Sequence, residues 1–173
     1  SRLLHLFDRE RALSLDEVQA RLLNPQDRDD VGRALLGFLG PLFRRVAVLR
    51  VVRDELSGWL GCGDLDAEVL QGFSGKFSEP SMFAGLRQSV PFSRGPLAPF
   101  PLHRRLAEAW GGELPADVVL LPIRIKDRLV TVLYLDRGKE GLGGLDLEPY
   151  LRLAAKAAIA FEMCIMRGKL KKA

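Results

Sequence analysis

The sequence predicts an α+β domain, with a largely antiparallel sheet that carries helices on one face, and three observations support this. Two β-rich hairpins occur, one over residues 46–63 and one over 118–135. Segments of helical spacing separate and bracket them, which leaves the strands to pair locally rather than through parallel crossovers. The remaining chain, with its Pro-rich connection over 91–101, leaves a crossing segment for the second face of the sheet.

At the N-terminal end, Leu3, Leu4, Leu6 and Phe7, then Leu13, Val18, Leu22 and Leu23, recur at helical spacing. Ser14 followed by Glu17 forms a capping-box pattern and predicts a helix over 15–23, stopped by Asn24-Pro25. A second helix is expected over 26–42, because Val31, Leu35, Phe38, Leu39 and Leu42 share one face, with Gly40-Pro41 weakening its last turn. The run 46–52 is a strand, and 56–63 around Trp59 is its partner. Arg53-Asp54 between them lacks the Gly that a tight hairpin favours, so a looser loop is expected.

Residues 66–71 predict a helical turn and 73–77 a short strand. Ser78 is placed to cap a helix with Pro80 in its first turn and Met82, Phe83 and Leu86 along it. After a further strand near Phe92, a helix over 102–110 closes on Gly111-Gly112. The second hairpin pairs 118–125 with 129–135 across the turn Lys126-Asp127-Arg128. A Gly-rich loop over 138–144 leads into an Ala-rich helix over 147–166 that is apolar on more than one face and so needs two partners.

Length and composition bound the function. The chain has 173 residues, 47% hydrophobic and 28% charged, enough for one ordinary domain with a sizeable core. Its formal charge of +4 equals the contribution of Arg167, Lys169, Lys171 and Lys172, which read as a solvated helix end, so no nucleic-acid partner is predicted. Cys62 and Cys164 lie far apart and offer no CxxC pair, which suits a reducing, cytoplasmic setting. No apolar run approaches the ~20 residues of a membrane span, and no signal-peptide pattern opens the chain. The start at Ser1 in amphipathic sequence fits a piece of a longer polypeptide that carries an effector. We divide the chain into a helical segment or linker over 1–25, a domain over 26–167 and a basic tail over 168–173.

Motifs for catalysis are weak. Gly141, Gly143 and Gly144 lie between strand and helix, but a dinucleotide fingerprint would need Gly where Asp146 stands, and no Gly-Lys-Ser/Thr precedes the helix. Gly72-Phe73-Ser74-Gly75 resembles a nucleophile elbow with its second Gly one position early. His5 and His103 are the two histidines, and His103 without nearby Cys, His or paired carboxylates makes a poor metal or haem site. No catalytic residue, metal or cofactor is assigned.

The stretch from Val118-Val-Leu-Leu-Pro122 to Leu129-Val130-Thr-Val-Leu-Tyr-Leu135 resembles the final hairpin of GAF domains, and Ser78 to Phe92 resembles the helix and following turn of the same family. The likeness spans about 27–166 and departs at Thr131, where Gly is common. It implies a GAF-like fold, with a central antiparallel sheet of about six strands and terminal helices on one face, in a ligand-binding or dimerisation module. Cyclic-nucleotide binders of the family use an Asn-Lys/Phe/Asp-Glu signature, whereas the one Asn here, Asn24, lies outside the domain; bilin binders use a Cys-His pair that this chain lacks. A sulfoxide reductase of this fold would need clustered cysteines. The resemblance is to degenerate, ligand-poor modules of bacterial regulators, with accessory domains of type II secretion or pilus proteins as the alternative.

Two functional expectations follow. In the first, a non-catalytic regulatory module forms a homodimer through the helices at 26–42 and 147–166, with Leu35, Phe38, Leu42, Ala154, Ala158 and Phe161 at the interface. In the second, a small molecule binds between the sheet and residues 73–101, walled by Trp59, Phe77, Phe83 and Phe92, with Arg87 or Arg94 facing an anion.

Overall fold

The computed structural model describes residues 12–172, with side chains through 169. The expectations that rest on Leu3, Leu4, His5, Leu6 and Phe7 lie outside the described residues. The architecture is α+β, with a six-stranded antiparallel sheet in the order β3-β2-β1-β6-β5-β4.

The first helix, α1 (Leu15–Leu23), has the expected capping box: the Ser14 hydroxyl accepts from Glu17 N–H at 3.1 Å, and Ser14 N–H donates to the Glu17 carboxylate at 3.3 Å. Helix α2 (Arg28–Leu39) starts from Asp27, whose carboxylate accepts from Asp30 N–H, and tightens into a 3-10 turn at Gly40–Leu42. Pro41 denies that turn an N–H donor, which is why the helix stops short of Leu42. Helix α5 (Glu148–Lys172) closes the chain. Val18 and Leu22 of α1, Val31, Leu35 and Leu39 of α2, and Leu153, Ala157 and Phe161 of α5 are buried in one core, so α1 contributes to the domain's interior.

Hairpin β1 (Arg45–Val52) and β2 (Glu55–Gly63) closes through two residues, where a looser loop was expected. Arg53 takes a left-handed φ of 57° there, and tertiary bonds hold it: Phe77 N–H donates to the Asp54 carbonyl and the Arg87 guanidinium to that of Arg53. Hairpin β5 (Val118–Ile125) and β6 (Arg128–Asp136) turns at Lys126 and Asp127, both left-handed, as a tight turn matching the strand twist requires. Strands β3 (Ser74–Lys76) and β4 (Ser93–Gly95) form the two edges, each three residues long, too short to recruit further strands.

Both faces of the sheet are apolar. Val46, Val48, Val119, Leu121, Leu133 and Leu135 face α1, α2 and α5. Ala47, Leu49, Val118, Leu120, Val132 and Tyr134 face the opposite layer, made of α3 (Ala67–Gln71), α4 (Pro101–Ala107) and residues 77–100, termed the strap. The helix expected from Ser78 does not form. The Ser81 hydroxyl instead accepts from Phe83 and Ala84 N–H, a local bond that competes with helix, and only a 3-10 turn at Ala84–Arg87 follows. Helix α4 ends through a 3-10 turn at Glu108–Trp110 and Gly111 at φ 84°.

Helix α3 lies directly on β2 at Gly58. A Cβ built there would stand 1.7 Å from the Leu70 carbonyl oxygen, a backbone atom that cannot rotate away. Gly58→Ala is therefore expected to cost about 3 kcal/mol, at the upper end for overpacking. Gly85→Ala, with nothing within 4 Å, should cost less than about 1 kcal/mol. Urea denaturation of both variants checks the pair.

Candidate functional site

The strap face is where the sequence places a ligand. Its interior is occupied by the protein's own side chains: Phe83 and Leu86 of the strap are fully buried, Phe77 and Leu97 nearly so, against Leu102 and Leu106 of α4. Arg124 at the end of β5 donates to three strap carbonyls, Leu86 and Gln88 at 2.7 Å and Val90 at 3.0 Å. Arg105 of α4 grips both carboxylate oxygens of Glu79 at 2.8 and 2.9 Å. The Lys76 N–H bond, then Arg105, hold that carboxyl below the usual glutamate range.

The six residues assigned to a pocket divide between the two faces. Phe77, Phe83 and Arg87 come together on the strap side, with the Arg87 guanidinium 4.3 Å from the Phe77 ring centre. Trp59 packs on the helix side, its ring 6.2 Å from Phe161 and overlain by Arg50, and Phe92 also packs against that core. A bulge is the reason: Trp59 has no partner on β1 between Gly58 and Leu60, and Trp59 and Leu60 both pack on the helix side. Arg94 is committed to Asp117 through two bonds of 3.0 Å and to the Gly143 carbonyl at 2.8 Å, pinning the Gly-rich loop to β4. These six side chains do not converge on one cavity. A cleft of about 350 Å³ lies elsewhere, between α3 and α4, lined by Val69, Gly72, Phe73, Ser74, Arg105 and Glu108.

The residues assigned to a dimer interface also divide. Leu35, Ala154 and Phe161 are buried inside the protomer, where α2 and α5 meet the sheet, so the core takes up the surface they would offer a partner. Phe38 and Ala158 are half-buried and Leu42 is exposed. Among the described side chains of α5, the large exposed apolar ones are Ile159 and Met166.

One polar cluster on the strap face was not singled out from the sequence. Arg45 is 1% exposed, yet charged. Its guanidinium donates to both Asp136 carboxylate oxygens at 3.2 and 3.4 Å, to Glu113 at 2.6 Å, and to the carbonyl and carboxylate of Asp64. Asp136 also accepts from the Tyr134 hydroxyl at 2.6 Å and from Gly138 N–H at 2.7 Å. Trp110 stacks on Tyr134 at 5.2 Å and lies under the Arg45 guanidinium at 5.1 Å. Burial opposes the Arg45 charge, but the bonds and charges of Glu113 and Asp136 outweigh it and hold the group above its ordinary range. Burial, reinforced by Asp136, pushes the Tyr134 phenol well up. The signal that could have found this cluster is β-register: Arg45 and Asp136 are direct cross-strand partners. An arginine opening a strand and an aspartate closing one otherwise read as solvated ends.

His103 is fully buried, and both ring nitrogens are taken by backbone groups, Met82 N–H and the Ala98 carbonyl. Among the described residues no cluster of three or more His, Cys, Asp or Glu is placed to hold a metal ion, and no helix is long and apolar enough to cross a membrane. Cys62 and Cys164 are both half-buried, and neither is in a disulfide.

With this geometry in hand, solved structures supply the comparison. The GAF domain of a phosphoenolpyruvate-protein phosphotransferase from Coxiella burnetii aligns at TM-score 0.69 and 14% identity, covering 90% of this chain and 94% of that one. The fold is that of a GAF domain. A phycoerythrobilin-bound GAF domain from a cyanobacterial phytochrome aligns at TM-score 0.66 and 16% identity, over 90% and 98% of the two chains. Free methionine-R-sulfoxide reductase from Neisseria meningitidis, solved with its substrate, aligns at 0.67 and 16% identity, over 88% and 89%, so the GAF fold also occurs in an enzyme. No protein-family model and no curated protein matches the sequence.

Removing one partner of a buried ion pair strands the other charge. Asp136→Ala is expected to lower stability by about 3–5 kcal/mol, the range for such breaks. Substituting Arg45 and Asp136 together by apolar residues should cost less than the two single changes summed, because neither charge is then left alone. Denaturation of the three variants measures the difference.

Proposed function

We propose that this GAF-like domain is a non-catalytic sensory or regulatory module of a bacterial signalling protein, working in the reducing cytoplasm through protein contacts and self-association. The observation that carries the reading is the filled strap face: Phe77, Phe83, Leu86 and Leu97 occupy the interior, and the nearby arginines are engaged by protein groups. A pocket for a small molecule requires apolar walls around space and polar groups left to converge on it. Neighbours of the same fold come from signalling proteins, among them a methyl-accepting chemotaxis protein aligned at TM-score 0.61 and 19% identity over 87% of this chain and 97% of that one. The two half-buried thiols, on β2 and α5, do not form the cysteine cluster that reductase chemistry would need.

Self-association is assigned to the outward face of α5. Ala155, Ile159 and Met166 stand at spacings of i, i+4 and i+11, in one exposed stripe that also carries Arg152 and passes the half-buried Glu162. Two such stripes side by side would bury Ile159 and Met166.

Light scattering on the purified domain is expected to report a dimer, and Ile159→Glu with Met166→Glu to convert it to a monomer of unchanged circular dichroism. A monomeric parent at all concentrations would remove the self-association. Native mass spectrometry is expected to release no small molecule; a stoichiometric copurified ligand would replace the filled-pocket reading with a sensor.

A further inference from the structure

The strap is held to the body of the domain by side chains that reach its backbone, and one of them can change charge near neutral pH. The Ala98 carbonyl can only accept, so His103 Nδ1 carries the proton in their 2.7 Å bond. Met82 N–H can only donate, so Nε2, 3.0 Å away, must be the unprotonated acceptor. The neutral Nδ1–H tautomer thus ties together two points of the strap sixteen residues apart, Met82 and Ala98. It does so inside a cage of two rings, Phe83 at 6.1 Å and Phe100 at 5.5 Å, both edge-on.

We propose that His103 is an acid-sensitive latch that keeps the strap closed while its ring is neutral. A second proton would go on Nε2, directly against the Met82 N–H. The bond is then lost, Met82 N–H is orphaned, and an unpaired charge sits among aromatic rings. The strap has little regular structure of its own at this point, since Phe83 and Ala84 N–H are held only by the Ser81 hydroxyl.

The charged groups around the ring do not substitute for the missing partner. On α4, Arg104 is exposed and Arg105 is engaged by Glu79. From the strap and its root, Glu79 is bonded to Arg105 and Lys76 N–H, Lys76 is exposed on β3, and Arg87 lies over Phe77. None of them bonds the imidazole. Burial pushes the His103 pKa below its ordinary 6.5, and the Ala98 bond opposes this only in part. The remaining strap anchors keep their charges as pH falls towards 5: Arg124 and Arg105 stay cationic, and Glu79 is held low by its Lys76 N–H bond and Arg105.

The sign follows from linkage. The open strap exposes a histidine of ordinary pKa, which binds its proton at higher pH than the closed one. The opening equilibrium therefore rises as pH falls below about 6.5, by up to tenfold per pH unit, and levels off below the closed-state pKa.

Native-state hydrogen exchange on the whole domain, corrected for the intrinsic pH dependence of exchange, tests this. Between pH 7.5 and 5, protection at Met82 and Gln88 is expected to fall relative to amides of the β5–β6 ladder, with a slope of at most about tenfold per pH unit. In His103→Gln, which can accept from Met82 without titrating, the ratio should be constant. Strap amides that track the β5–β6 amides at every pH would overturn the latch. If His103→Gln does not fold, the imidazole titration of the parent by NMR decides: levelling of strap exchange at the His103 pKa supports the latch, and levelling elsewhere overturns it. These outcomes are independent of whether the domain dimerises or binds a ligand.

Discussion

Both faces of the central sheet are apolar, and that constraint organises the rest of the molecule. Strands β1, β5 and β6 alternate Val, Leu and Ala to either side, so neither side can be left to water, and each face buries side chains on the scale of about 1.5–3 kcal/mol apiece. One side is covered by three helices whose own apolar stripes match it. The other is covered, among the described residues, by a five-residue helix, a seven-residue helix and the strap, with no long helix. A cover made of irregular chain must satisfy its backbone groups individually, because no repeating ladder does so. That is why Arg124, His103, Arg105 and the Ser81 hydroxyl all point at strap backbone or strap side chains.

The same constraint explains the buried charge. At one end of the strap face the sheet finishes at Arg45 and Asp136, and the loops carrying Asp64 and Glu113 close over it. The guanidinium's planar donors serve three carboxylates and a carbonyl at once; Trp110 and Tyr134 pack beside the buried Arg45–Asp136 pair, while Asp64 and Glu113 stay in reach of water. The cluster joins the β1–β6 junction to both loops, which lie far apart in sequence. Its value is in fixing that geometry, since buried ion pairs return little net stability after desolvation.

The elements that local chemistry determines were legible in the sequence. Ser14 and Glu17 specify the start of α1, Gly111 the stop after α4, and alternation the β5–β6 hairpin. What could not be read were features set by register and by tertiary competition. The cross-strand meeting of Arg45 and Asp136 requires the β1–β6 pairing, which no window of sequence contains. Ser78 has the chemistry of a helix cap, but Ser81 and His103 take the next N–H groups first. Trp59 and Phe83 are both large aromatics, yet the bulge in the β1–β2 ladder puts Trp59 on the helix side while Phe83 packs in the strap-side core.

The two covers are therefore unequal in kind. The helix side is secured by continuous backbone hydrogen bonding within α1, α2 and α5, and opening it would break regular structure along with the core. The strap side is secured by a few point anchors, so a single anchor accounts for a larger share of local stability there. Movement in this domain should begin on the strap side. Its shape can then change without dissolving the sheet or the α5 face assigned to self-association, because β5 and β6 remain paired and covered from the helix side. In the proposed regulatory role, this separation would let one layer hold a partner while the other responds.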